Sequence, residues 1–208
     1  YLGYNTINAF HSVVPTSVTE FWEYVGEDRG VASRPETKSY AARSLLGVKY
    51  LLAREGGDSF TDDLGAPLMP GFSFYSHEEG YDVYLNENAL PYGFTYDYYM
   101  TKEQCEHYDE EQRSNMMLKA ILLDNEQIAK YGSLLSNLSQ YEGDALIDPY
   151  ADPAYSFYCD EEELTMDAAR LQENAISSFT RTKTGFEAEI SLETDNLVFF
   201  SIPYDSGW

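Results

Sequence analysis

The apolar residues of this chain change their spacing along its length, from the helical repeat of about 3.6 residues to the strand repeat of two and back. That change admits only a fold of mixed helices and sheets. Val18, Phe21, Trp22 and Val25 stand at i, i+3, i+4 and i+7, so four apolar groups share one helical face. Ser17 with Glu20 predicts a capping-box start, and Gly26 a stop. A second helix is predicted over 35–46, closed by Gly47, with Tyr40, Ala41 and Leu45 facing inward. A short β-rich run follows at 48–52.

Residues 56–70 are rich in Gly, Asp, Ser, Thr and Pro and predict an exposed loop. Three strand-like runs come next. The first covers 72–75. In the second, Tyr81, Val83 and Leu85 alternate with Asp82, Tyr84 and Asn86, and in the third Phe94, Tyr96 and Tyr98 alternate with Thr95, Asp97 and Tyr99. The turn joining the first two is expected at 77–80. Helical spacing returns at Thr101, which can cap with Gln104, and is read through Met117, Ala120 and Ile121 toward Leu123. A companion helix from near Asn125 ends at Gly132.

The stretch 141–163, with two Asp-Pro pairs and the acidic run 160–163, has the chemistry of a long surface connection. Beyond it Phe186, Ala188, Ile190 and Leu192 alternate with Glu187, Glu189, Ser191 and Glu193, a half-buried strand. With 175–181 before it and 197–202 after it, a three-strand antiparallel meander is expected. The expected fold is therefore α+β: N-terminal and central helices on antiparallel strands, then a meander resembling part of a β-sandwich. The expected division is an α+β domain over 1–140, an acidic connection over 141–172 and the meander over 173–208, read as a piece of something longer.

Charge narrows the partners. Thirty-six acidic residues against 13 basic ones give a net charge of −23. Such a chain lacks the Lys/Arg stripe that nucleic-acid binding needs, and it is repelled by anionic surfaces. Cys105 and Cys159 show no metal-ligand spacing and read either as one disulfide or as two buried thiols. No run of about 18 apolar residues occurs, so no membrane span is expected within the chain.

The ten residues Phe199-Phe200-Ser201-Ile202-Pro203-Tyr204-Asp205-Ser206-Gly207-Trp208 resemble a signature of the YfhO family, multi-pass bacterial membrane proteins similar to GT-C glycosyltransferases. Two further stretches resemble the family in the same order: Leu46-Gly47-Val48-Lys49-Tyr50-Leu51-Leu52 and Tyr84-Leu85-Asn86-Glu87-Asn88-Ala89-Leu90-Pro91-Tyr92-Gly93-Phe94. The opening Asn8-Ala9-Phe10-His11-Ser12 is similar to a stretch that follows a membrane span in such proteins. Ser206 departs from the family, which often has Lys there. The resemblance implies transfer of a sugar from a polyprenyl-phosphate carrier to a cell-wall polymer such as lipoteichoic acid, on the outer face of a Gram-positive plasma membrane. It implies an extracellular, acceptor-side domain whose partners are the membrane-embedded part of the same polypeptide and a glycan or polyprenyl-linked sugar. The family's catalytic Asp lies on an early external loop to which no residue here maps, so no catalytic residue and no cofactor is expected in this chain.

His11 and Ser12 are adjacent, a geometry that does not make a nucleophile pair, and His11 is read as a positioning or sugar-contact residue. His77 and His107 sit among acids and read as solvated rather than metal-bound. Asp148, Asp152 and the run 160–163 lack the Asp/Asn/Gly alternation of a calcium loop and read as a solvated charge run. Tyr92, Phe94, Tyr96, Tyr98 and Tyr99 form the densest aromatic group, and their rings are the candidates for stacking on sugar faces. Strand propensity accounts for the same residues without any ligand. The alternative functions are a secreted carbohydrate-binding module or an interaction scaffold without a ligand.

Overall fold

The computed structural model describes residues 9–10, 15–26, 32–33, 40–57, 60–141 and 161–204. In chain order the elements are β1 (Ala9–Phe10), α1 (Thr16–Tyr24), β2 (Ala32–Ser33), α2 (Tyr40–Leu45), β3 (Tyr50–Arg54), β4 (Phe72–Glu78), β5 (Tyr81–Asn86), β6 (Gly93–Thr95), β7 (Tyr98–Thr101) and α3 (Lys102–Glu106). There follow α4 (Glu110–Met116), β8 (Ile121–Leu123), α5 (Asn125–Tyr131), β9 (Ser136–Asn137), α6 (Glu161–Glu173), β10 (Ser178–Arg181), β11 (Phe186–Glu189) and β12 (Val198–Phe200). The fold is α+β.

The apolar stripe of α1 does what its spacing predicts: Trp22 and Val25 are buried against Ala42, with Val18 and Phe21 at the margin. Its start differs from the expected capping box. The N-cap is Pro15, and no side chain caps the helix. Ser17 lies inside the first turn, and its hydroxyl donates instead to the carbonyl oxygen of Tyr204 at 3.0 Å. In α2, residues Ala41 to Leu45 are all buried. The part of that predicted helix before Tyr40 lies outside the described residues.

Strands β3, β5 and β4 form an antiparallel sheet in the order β3-β5-β4. Its hairpin turn is tighter than expected, because His77 and Glu78 belong to β4 and the loop is Glu79-Gly80. Both loop residues have positive φ, 50° and 81°. That is the turn whose twist matches paired strands. The inward face is also the opposite of the one the alternation suggests: Tyr84 and Asn86 are buried, while Tyr81, Val83 and Leu85 face out. The cause lies in the loop over 56–70. It folds back and buries Phe60 and Met69 against Phe72 and Tyr84, with the Phe60 ring 4.8 Å from that of Tyr84. A loop read as merely exposed thus supplies the second layer of this sheet.

The third strand-like run breaks at Tyr96-Asp97. Its first half, β6, pairs antiparallel with β12, and its second half, β7, lies parallel between β8 and β9. The other named strand pairs are antiparallel as expected, and the parallel pairs are confined to β7, β8 and β9. Parallel pairing arises there because the segment between β7 and β8 is a helical crossover rather than a turn. The long helix read from Thr101 toward Leu123 is in fact α3, α4 and β8. Thr101 and Gln104 do form the predicted capping box, but Asp109 caps a new helix by accepting from Gln112 N at 2.9 Å. Residues Ile121–Leu123 then enter the sheet. Helix α5 ends at Gly132 as read.

Residues 161–163, read as the end of an acidic connection, are the first turn of α6, where carboxylates oppose the positive end of the helix dipole. Leu164, Ala168 and Leu171 of this helix enter the main core with Ala41, Leu45, Leu90, Phe94 and Leu118. Residues 142–160 lie outside the described residues. At the C-terminal side β10 and β11 pair as expected. The third strand of the meander does not join them, because β12 pairs with β6. The physical reason is Gly93: a Cβ there would stand 2.8 Å from the Phe200 ring and 2.9 Å from Ile176. Its bare backbone lets both side chains close over β6, and Phe199 packs on Phe94 and Tyr96.

The two internal stretches that carry the resemblance interlock. The Asn86 carboxamide donates to Val48 O at 3.0 Å and accepts from Asn88 N at 3.1 Å, while Leu90 N donates to Ser44 O at 3.0 Å. Gly47, at φ 67°, brings the chain so close that a Cβ would lie 2.8 Å from Leu90 O. Gln172 of α6 completes the joint by donating to the carbonyls of Glu87 and Ala89.

Candidate functional site

Lys119 follows α4 in the apolar run Met116 to Leu123, and its side chain is fully buried. A lone ammonium there would be prohibitively costly, so partners must exist. They come from α6, where Glu163 and Asp167 are four residues apart and share a face. Lys119 Nζ lies 2.6 Å from Glu163 Oε1 and 2.9 Å from Asp167 Oδ2. Arg170, one turn further, places Nη2 3.1 Å from Asp167 Oδ1 and donates to Lys119 O at 3.2 Å. Asp97 Oδ2 stands 3.9 Å from Arg170 Nε, so two cations meet three carboxylates, two of them buried. Burial pushes the Asp167 carboxyl above its ordinary value, against the opposing pull of Lys119 and Arg170.

This bolt forms the floor beneath two tyrosines. The Arg170 guanidinium lies 5.8 Å from the Tyr98 ring centre and 5.9 Å from that of Tyr141. Lys119 Nζ lies 4.8 Å from the Tyr141 ring. The two rings are tilted against each other at 4.9 Å. Above them opens a cleft of about 650 Å³ lined by Tyr98, Ser136, Ser139, Gln140 and Tyr141. The parallel pairing of β7 with β9 sets Tyr98 opposite Ser136. Asn137 holds the next turn, its Oδ1 accepting from Ser139 N at 3.0 Å and Ser139 Oγ at 2.7 Å. A lining of phenols, hydroxyls and a carboxamide suits a neutral, polyhydroxylated ligand better than an ion.

Of the aromatic residues singled out in the sequence, Tyr98 reaches this cleft. Tyr92 packs its ring 4.8 Å from Phe179 on the β10–β11 hairpin. Phe94 has no exposed surface, and Tyr96 is buried with its hydroxyl donating to Met117 O at 2.7 Å. Burial raises the Tyr96 phenol far above its ordinary pKa. Tyr99 is half-buried against the main core. The five rings do not make one platform, because the chain turns between β6 and β7 and divides them between core and surface. His11 lies outside the described residues. His77 Nδ1 meets Asp82 at 2.8 Å, and His107 is exposed beside Tyr108. Cys105 is a buried free thiol whose pKa burial raises. Among the described residues no group of three or more His, Cys, Asp or Glu could hold a metal ion.

Sequence reasoning missed Lys119, Asp167, Arg170 and the lining residues 136 and 139–141. Two signals pointed to the bolt: a lone Lys inside an apolar run, and Glu163, Asp167 and Arg170 at i, i+4 and i+7. The cleft itself left no periodic trace, since its walls come from separate strands and turns.

Fold and cleft together define an α+β domain with a polar, tyrosine-floored recess. The family described as "Bacterial membrane protein YfhO" has a model that matches residues 1–148, and the chain belongs to that family. Membership points to a membrane protein related to glycosyltransferases. No helix among the described residues is long and apolar enough to cross a membrane. No curated protein and no solved structure matches the chain. The matched span contains the stretches 46–52 and 84–94 and leaves the tail 199–208 outside it.

Proposed function

We propose that this chain is the extracellular, acceptor-side part of a membrane-bound glycosyltransferase, and that the cleft at Tyr98 and Tyr141 receives a neutral saccharide unit. The observation that carries this reading is the uncharged, hydroxyl-rich lining of the cleft. Family membership supports the setting beside a membrane. A net charge of −23 opposes the phosphates of a lipoteichoic acid or of a polyprenyl carrier, so it is the sugar of such a molecule that enters. Catalysis and the carrier belong to the membrane-embedded part of the polypeptide; this domain orients the acceptor.

The reading is tested by titrating the chain with methyl glycosides and following backbone amide shifts. Saturable shifts centred on Tyr98, Ser136 and Ser139, lost in Tyr98→Ala with the unfolding midpoint kept within a few degrees, are the expected result. Flat titrations across the common cell-wall sugars, or shifts indifferent to Tyr98→Ala, would sink it.

A further inference from the structure

The β3-β5-β4 sheet has one face covered by Phe60 and Met69, with Phe74 left exposed at its margin, and one face open. On the open face the register pairs Tyr50 with Leu85, Leu52 with Val83 and Arg54 with Tyr81. A bulge between Phe74 and Ser76 turns Tyr75 to the same side, where its ring lies 5.7 Å from that of Tyr50. Tyr50, Leu52, Tyr75 and Tyr81 are 45%, 58%, 60% and 44% exposed. Contiguous apolar exposure on this scale marks a contact surface.

Charge decides what the surface meets. Arg54 and Glu78 flank Tyr81 in the last row and offset each other, and Lys49 Nζ stands 6.0 Å from the Tyr50 ring centre. In a chain of net charge −23 this face is locally balanced. Carboxylates more than about 8 Å away are screened at physiological salt. A lipid interface asks for what the face offers: amphipathic tyrosines around Leu and Val, with cationic stems that reach toward headgroups. The chain belongs to a family of membrane proteins, which puts a bilayer within reach.

We infer that the open face of the β3-β5-β4 sheet rests in the headgroup layer of the bilayer, at lipids of neutral or zwitterionic headgroup. The contact is independent of the saccharide cleft, and neither reading falls with the other. The test is co-sedimentation of the chain with phosphatidylcholine vesicles. Binding is expected to fall about tenfold in the Leu52→Ser, Tyr75→Ser double variant, to persist in Leu64→Ser, which changes an exposed residue of the 56–70 loop, and to weaken as phosphatidylglycerol is added. Should the double variant fail to fold, Tyr50→Ser supplies the same comparison. Absence of vesicle binding, equal binding by the variants, or a concentration-dependent dimer that the double variant abolishes would each overturn the inference.

Discussion

Lys119 has no exposed surface, and its ammonium is held by Glu163 and Asp167 inside 3 Å. A buried ion pair is weak as a source of stability but severe when broken, because the partner charges cannot return to water. Lys119→Met is therefore expected to cost about 3–5 kcal/mol, read as a lowered urea midpoint, although Met fits an apolar run. His77 shows the exposed counterpart. Its hydrogen bond to Asp82 is the largest influence, and it raises the imidazole pKa above the ordinary value. A raised folded-state pKa means that the contribution to stability is complete below the ordinary imidazole range and disappears as pH rises through the raised value. An NMR titration of the His77 ring is expected to show a midpoint above the ordinary one, returning toward it in Asp82→Asn. Both residues were visible in the sequence as types, but the one that matters to the core was legible only as an oddity, a single cation among apolar neighbours.

At the level of elements, local signals were read well and distant pairings were not. The Thr101–Gln104 capping box, the stops at Gly26 and Gly132 and the buried stripe of α1 depend on residues within four positions of one another, and each formed. The partner of β12 depends on the bare backbone of Gly93, more than 100 residues earlier in the chain. Gly93→Ala is expected to push against Phe200 and Ile176, weaken the β6–β12 pair and cost about 1–3 kcal/mol. Unfolding by urea, with faster amide exchange at Thr95 and Phe200, is the measurement. Helix α6 was hidden for a related reason: its acidic first turn and surrounding Asp-Pro pairs masked Leu164, Ala168 and Leu171, which mark a face only once a core exists to receive them.

Across the whole molecule, the family stretches at 46–52 and 84–94 supply none of the cleft's lining residues and act in the fold, joining α2, β3, β5 and α6 through Asn86, Gly47 and Gln172. The acidic surface bounds what can approach, and composition alone established it. The α+β class, several helix ends and the likeness to a membrane-protein family were likewise written in residue order, because periodicity, capping and short motifs are properties of neighbouring side chains. Which face of β5 turns inward, which strand β12 joins, and the meeting of Lys119 with α6 beneath Tyr98 and Tyr141 were decided by tertiary structure. Those outcomes turn on volume and charge brought together from separate segments, and no spacing along the chain encodes which distant surface fits best.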